Sequence, residues 1–124
     1  MSRSTLKHIL FLALCTSILF GGCHKKKTVF ESHFLYGKWV CGTEYYRFDA
    51  NGNGATWDTS DDVDETEAQQ FTWSFDSESN RLTIVHQMEM GGNIPKSYTV
   101  TMLNELFLRI KDRYGQSTLY IREN

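Results

Sequence analysis

From residue 37 onward, apolar and polar side chains alternate with period two in short runs, and turn signals separate the runs at intervals of roughly 8–12 residues. Trp39 and Cys41 alternate with Lys38 and Val40, and Tyr46 and Phe48 with Tyr45 and Arg47. Asn51-Gly52-Asn53-Gly54 then supplies residues that tolerate the positive φ of a tight hairpin. Residues 55–59 read as the returning strand. Phe71, Trp73 and Phe75 alternate with Thr72, Ser74 and Asp76, the cleanest half-buried strand in the chain. Leu82, Ile84, His86 and Met88 share a face until Gly91-Gly92-Asn93 breaks the run. Pro95 opens the next strand, in which Tyr98, Val100 and Met102 oppose Ser97, Thr99 and Thr101. Leu106, Leu108 and Ile110 alternate with Phe107, Arg109 and Lys111; after a turn at Tyr114-Gly115, Leu119 and Ile121 alternate with Thr118, Tyr120 and Arg122.

This pattern predicts eight consecutive strands with short connections, and hence an all-β fold. A sequential antiparallel sheet leaves two exposed edges unless it closes on itself. The expectation is therefore a small eight-stranded up-and-down barrel. Short helical turns are expected near residues 30–36 and within residues 62–70. Eight strands enclose room for side chains or for one small ligand. Trp39, Tyr46, Phe48, Phe71, Trp73, Phe75, Tyr98 and Met102 are assigned inward and are large enough to fill that room. A pocket is expected at an open end.

The first 23 residues follow a different logic. Arg3 and Lys7 precede an apolar run over residues 9–20, which stops at Gly21-Gly22-Cys23. A basic start, an apolar centre and small residues at its end describe an export signal. The run falls short of the about 20 apolar residues that a spanning helix takes. Its end resembles a bacterial lipobox, in which a fatty-acylated cysteine becomes residue one, with Phe20 standing where an aliphatic residue is usual. Residues 1–22 are thus expected to be a signal peptide, Cys23 the site of lipid attachment, residues 23–34 a tether and residues 35–124 the domain. Lys25, Lys26 and Lys27 follow His24, and each attracts an anionic headgroup by about 1 kcal/mol near the surface. Surface-exported lipoproteins of some gut bacteria carry acidic residues at this place. The basic segment here points instead to the outer membrane, facing the periplasm.

Composition is that of a folded chain, with 40% hydrophobic residues and one proline among 124. Formal net charge is −2, and without Arg3 and Lys7 the exported part keeps 11 basic against 15 acidic residues, or −4. Neither value calls for nucleic acid. Cys15 would leave with the leader and Cys23 would be acylated, so Cys41 is left without an internal disulfide partner.

Gly37-Lys38-Trp39, following a short helical lead-in, resembles the Gly-x-Trp signature of lipocalins. That resemblance implies that Trp39 closes one end of the barrel and that Arg122 on the last strand packs across it. The stretch 35–122 is similar to the lipocalin-like domains of small lipoproteins from Bacteroides-type bacteria. The pieces that carry the likeness are Leu35-Tyr36-Gly37-Lys38-Trp39, Tyr46-Arg47-Phe48-Asp49-Ala50-Asn51-Gly52, Phe71-Thr72-Trp73, Ser97-Tyr98-Thr99-Val100-Thr101 and residues 106–111. It implies a lipid-anchored envelope protein that binds a small hydrophobic ligand. The long loops and C-terminal helix usual in lipocalins are missing, which places any ligand at the barrel mouth.

Catalytic and metal-binding constellations are sparse. Asp49-Ala50-Asn51-Gly52-Asn53-Gly54 imitates the start of a calcium loop, but Ser60 stands where the bidentate glutamate is required. Asp58, Asp61, Asp62, Asp64, Glu65 and Glu67 form a dense acidic run, read as a solvated loop with a weak cation site or a landing patch for a basic partner as the sharper alternative. His86 and Cys41 both fall on inward faces, yet nucleophilic catalysis needs them in contact and oriented by a third group. One histidine and one cysteine also fall short of a zinc site. The sequence thus supports no enzyme, no metal and no cofactor. Trp57, Tyr98 and His86 are the candidate ligand-lining residues at the mouth. The other reading is a protein-interaction module of the envelope with a filled barrel.

Overall fold

The computed structural model describes residues 28–124. The signal peptide, Cys23 and the lysines after it lie outside them. Eight strands run in order: β1 (Gly37–Cys41), β2 (Glu44–Phe48), β3 (Asn53–Asp58), β4 (Gln69–Asp76), β5 (Arg81–Gln87), β6 (Asn93–Leu103), β7 (Phe107–Lys111) and β8 (Ser117–Glu123). Each pairs antiparallel with its neighbour, and β1 pairs with β8, so the sheet closes into a barrel. Closure leaves no full-length strand edge to template aggregation. Short 3-10 turns at Ser32–Leu35, Thr59–Asp61 and Glu65–Glu67 are the helical elements of the described residues. Among those residues no helix is long and apolar enough to cross a membrane.

An up-and-down barrel gathers alternate turns at opposite ends. The β2–β3, β4–β5 and β6–β7 turns share one end with the incoming chain and the close of β8. That end is sealed. Leu35 and Trp39 are both 0% exposed, and the Trp39 indole N–H donates to the Leu35 carbonyl at 2.9 Å. The Arg122 guanidinium lies 4.3 Å over the Trp39 ring and donates to the carbonyls of Phe34, Tyr36 and Glu105 at 2.5, 2.6 and 2.6 Å. Gly37 makes this approach possible: it adopts φ +119°, and a Cβ there would meet Arg122 Nη1 at 2.6 Å. The Trp73 indole closes the β2–β3 turn by donating to the Asp49 and Asn53 carbonyls.

Part of the expected tether belongs to the domain. Phe30 and Phe34 pack against the core, and the Asn80 side-chain amide donates to the Thr28 carbonyl at 3.0 Å. The chain therefore docks on the barrel from residue 28.

Phe48, Phe71, Leu82, Ile84, Val100, Leu108 and Tyr120 fill the interior with Trp39. Each large apolar side chain so buried contributes about 1.5–3 kcal/mol. Two assignments change, and β8 buries the less apolar side of its alternation. A bulge between Val100 and Met102 shifts the register of β6 against β7, which sends Leu103 into the core and leaves Met102 half-buried. In β8, Tyr120 is the core residue, while Leu119 and Ile121 are 43% and 51% exposed on the outer wall. In β3, Trp57 and Ala55 face outward, with consequences for the site.

Candidate functional site

The opposite end is the mouth, framed by the β1–β2, β3–β4, β5–β6 and β7–β8 turns. Cross-strand partners point to the same face of a sheet, so the register fixes which side chains enter it. Cys41 pairs with Glu44, Tyr46 with Thr56, His86 with Ile94, Ile84 with Lys96 and Ile110 with Thr118. These side chains share the inner parity with Trp39, Phe71 and Leu82. Toward the mouth they are incompletely covered: Cys41, Glu44, Thr56, Tyr98 and Thr118 are half-buried, and Ile94 and Lys96 are exposed. One end of the interior is sealed and the other is open.

The mouth has a side notch because β6 is longer than its neighbour. Its eleven residues pair with β7 only from Thr99 onward. Residues 93–98 rise beside the β7–β8 turn with no β7 strand to cover them. A cavity of about 530 Å³ occupies the gap, lined by Ile94, Lys96, Tyr98, Asp112, Arg113 and Tyr114 among others. Pro95, which lacks an N–H, is suited to such an uncovered strand segment. Asp112 holds the facing turn in shape by accepting from the backbone N–H groups of Tyr114 and Gln116, both at 2.9 Å.

Deeper in the mouth stands a group of phenols. Tyr120 donates to Glu44 Oε1 at 3.3 Å, and its ring meets Tyr46 edge-on at 5.5 Å. Burial, then the neighbouring Tyr98 and Glu44, pushes the Tyr46 hydroxyl far above the ordinary phenol range. Burial, followed by Tyr46 and Glu44, does the same to Tyr120. Tyr98 shifts upward too, through burial and then Glu44 and Asp112. All three phenols stay protonated at physiological pH and can donate as well as accept hydrogen bonds.

The sequence-derived candidates separate. Tyr98 lines the cavity. His86 faces inward on β5 as expected and is 7% exposed, with its ring edge-on to Phe71 and no hydrogen-bond partner at Nε2. Burial, then Lys96, lowers its pKa below the usual imidazole value, so the ring is neutral at pH 7. Trp57 is not at the mouth, and this corrects its assignment. It pairs with Tyr45 on the outer face and stacks on that ring at 5.2 Å and 6°. Its 8% exposure comes from cover on the outside of the barrel, where the β3–β4 connection passes.

That connection is the acidic run. Glu65 binds Lys38 at 2.6 Å and Arg47 at 2.9 Å, and Arg47 also meets Asp49 at 3.2 Å. Asp58 caps the first 3-10 turn by accepting from the Ser60 N–H, and Asp64 caps the second by accepting from the Thr66 N–H. Hydrogen bonds to the Lys38 and Arg47 side chains hold the Glu65 carboxyl below its ordinary pKa. Three of the six carboxylates are thus engaged: Asp58 and Asp64 shape the turns of the connection, and Glu65 fastens it to β1 and β2. Among the described residues, no three His, Cys, Asp or Glu side chains are grouped to hold a metal ion. Residues 49–53 form the hairpin turn, with Gly52 donating to the Asp49 carbonyl at 3.2 Å. Cys41 on β1 and His86 on β5 occupy opposite walls, with three strands between them in either direction around the barrel.

Glu44, Tyr46, Lys96, Asp112 and Tyr120 are the mouth residues that sequence reasoning did not single out. The signal for two of them was present: Glu44 lies two positions before inward Tyr46, and Lys96 two before inward Tyr98. No family model matches the chain, and comparison with curated proteins and with solved structures gave no match.

Proposed function

We propose that this is a lipid-anchored protein of the bacterial envelope whose barrel takes a small ligand at its mouth. The observation that supports it is the contrast between the two ends of one interior. Leu35 and Trp39 are fully buried at the sealed end, while inward-facing Glu44, Tyr98 and Thr118 stay half-open at the other. Interiors normally bury what they turn inward, so a set of inward but uncovered side chains suits an occupant. Ile94 and Tyr98 offer apolar surface, and Lys96, Asp112 and the phenols offer polar contacts. This combination favours a compact, flat molecule with one polar edge over a long aliphatic chain, because aromatic and aliphatic side chains pack the interior below the mouth. The address rests on the export-type leader and Cys23, with the lipid carried by that cysteine as the membrane contact.

Native mass spectrometry of protein purified from its host envelope tests the binding. The expected result is a bound mass of a few hundred daltons that the Tyr98→Ala variant loses. An empty barrel with no thermal shift across a panel of aromatic and lipidic metabolites would overturn it. A specific observation favours a second reading, that of a protein-interaction module. Phe107, Ile121, Val40 and Tyr45 follow one another through cross-strand pairing across four strands of the outer wall. Such a continuous apolar row suits a partner surface.

A further inference from the structure

We infer that the sealed end of the barrel faces the lipid surface and the mouth faces away from it, so that ligand enters from the aqueous compartment and not from the bilayer. The inference rests on the proposed lipid attachment at Cys23 and goes beyond it by fixing an orientation. Only residues 24–27 separate that cysteine from the first docked residue, Thr28. The five steps from Cys23 to Thr28 span at most about 17 Å.

The point of departure is the sealed end. Thr28 is held there by the Asn80 side chain in the β4–β5 turn. Val29, Phe30, Ser32 and His33 border one open cavity with Phe75 and Ser77 at the same end. Strand β4 has eight residues; at about 3.3 Å per residue and a tilt of roughly 40°, it makes the barrel wall about 20 Å tall. The turn at residues 88–92 stands beyond β5, with Met90 98% exposed at its tip. To set the mouth on the bilayer, the anchor would have to travel this whole height around the outside of the wall. The chain available is shorter than that path.

The surface chemistry of the sealed end is compatible with an interface. Val29 and Leu106 are exposed there, among the acidic residues Glu78 and Glu105 of the two flanking turns. Lys25, Lys26 and Lys27 fall within the short connection, where they offset those carboxylates against anionic headgroups. The sealed end therefore rests at the headgroup level without entering the hydrocarbon.

The test uses the full chain matured in cells, with Cys41→Ser and an azide-bearing residue in place of Ser79 at the sealed end or Met90 at the mouth. A donor dye is clicked onto the azide, and the protein is placed in vesicles of phosphatidylcholine and phosphatidylglycerol carrying acceptor-labelled headgroups. Energy transfer should put position 79 closer to the surface than position 90 by roughly 15–20 Å. Equal distances, or a closer position 90, overturn the orientation. Inserting about 20 Gly/Ser residues between Lys27 and Thr28 gives a flexible reach that should erase the difference; a difference that survives overturns the argument from tether length. Intact mass separates this from the lipid reading. A chain without acyl groups refutes the anchor alone, and the same protein coupled through Cys23 to a maleimide lipid still reports the orientation.

Discussion

Replacing Arg122 by alanine should loosen the sealed end more than any other single change on the surface of the barrel. The guanidinium donates to three carbonyls on two separate segments, those of Phe34, Tyr36 and Glu105, and covers the Trp39 ring at 4.3 Å. A hydrogen bond to a charged group contributes about 1.5–3 kcal/mol when buried, and a cation–π contact about 0.5–2 kcal/mol. Arg122 is only partly buried, so water takes over some of the freed carbonyls and the contributions do not add. The expected loss for Arg122→Ala is about 2–4 kcal/mol, a large share of the 5–15 kcal/mol typical of a domain. Arg122→Lys keeps the charge but not the planar fork, and should recover less than half. Urea unfolding followed by tryptophan fluorescence reads both: the alanine midpoint should fall by about 1–3 M, with Arg122→Lys between it and the parent. An alanine variant within about 0.5 kcal/mol of the parent, or a lysine variant equal to it, refutes the claim that the fork holds this end together.

Other substitutions probe other parts of the account. His86 has a depressed folded-state pKa, first from burial and then from Lys96. Its stability contribution is therefore fully present above the unfolded value near 6.5 and is lost as pH falls from there toward the lower folded pKa. His86→Phe should flatten the loss of stability between pH 7.5 and 5 seen in urea midpoints; an unchanged slope would remove His86 as its source. Gly54→Ala should cost at least about 1–3 kcal/mol in thermal unfolding, because its Cβ would lie 2.5 Å from the Arg47 carbonyl and 2.3 Å from the Phe71 ring; a neutral effect would contradict the β2–β3–β4 packing. Glu65→Ala should change stability by no more than about 1 kcal/mol, as a partly exposed pair does, yet raise acrylamide quenching of Trp57 in a variant retaining only that tryptophan. Unchanged quenching would show that the acidic loop is not fastened over the outer wall.

The barrel was legible in the sequence where alternation and burial coincide, as in Phe71, Trp73 and Phe75 or Leu82, Ile84 and His86. It was not legible where both faces of a strand are covered. In β3 the outward face carries Trp57 and Ala55 beneath a loop fastened by Glu65 with Lys38 and Arg47, so the largest apolar residue reads as lining the mouth although it lies outside. In β8 the apolar side chains of Leu119 and Ile121 are the exposed ones, and the buried member, Tyr120, carries a hydroxyl. A bulge in β6 reverses parity within one strand, and period-two reading has no means of seeing it. The mouth was half legible. Tyr98 and His86 stood in unambiguous inward runs, and the same period reaches Lys96 and Glu44, but their charge and their places beside turns make both read as solvent-exposed. The notch depends on β6 outrunning β7, a difference in strand length that tertiary pairing sets.

A two-dimensional NMR titration with the ligand recovered from the native protein, or with the metabolite panel in its place, bears most directly on the mouth as the working surface. Backbone shifts are expected to concentrate in residues 94–98 and 112–114, while the indole N–H signals of Trp39 and Trp57 stay still. Shifts running along Val40, Tyr45, Trp57 and Ile121 on the outer wall, or no shift with any compound, would contradict a ligand-taking mouth.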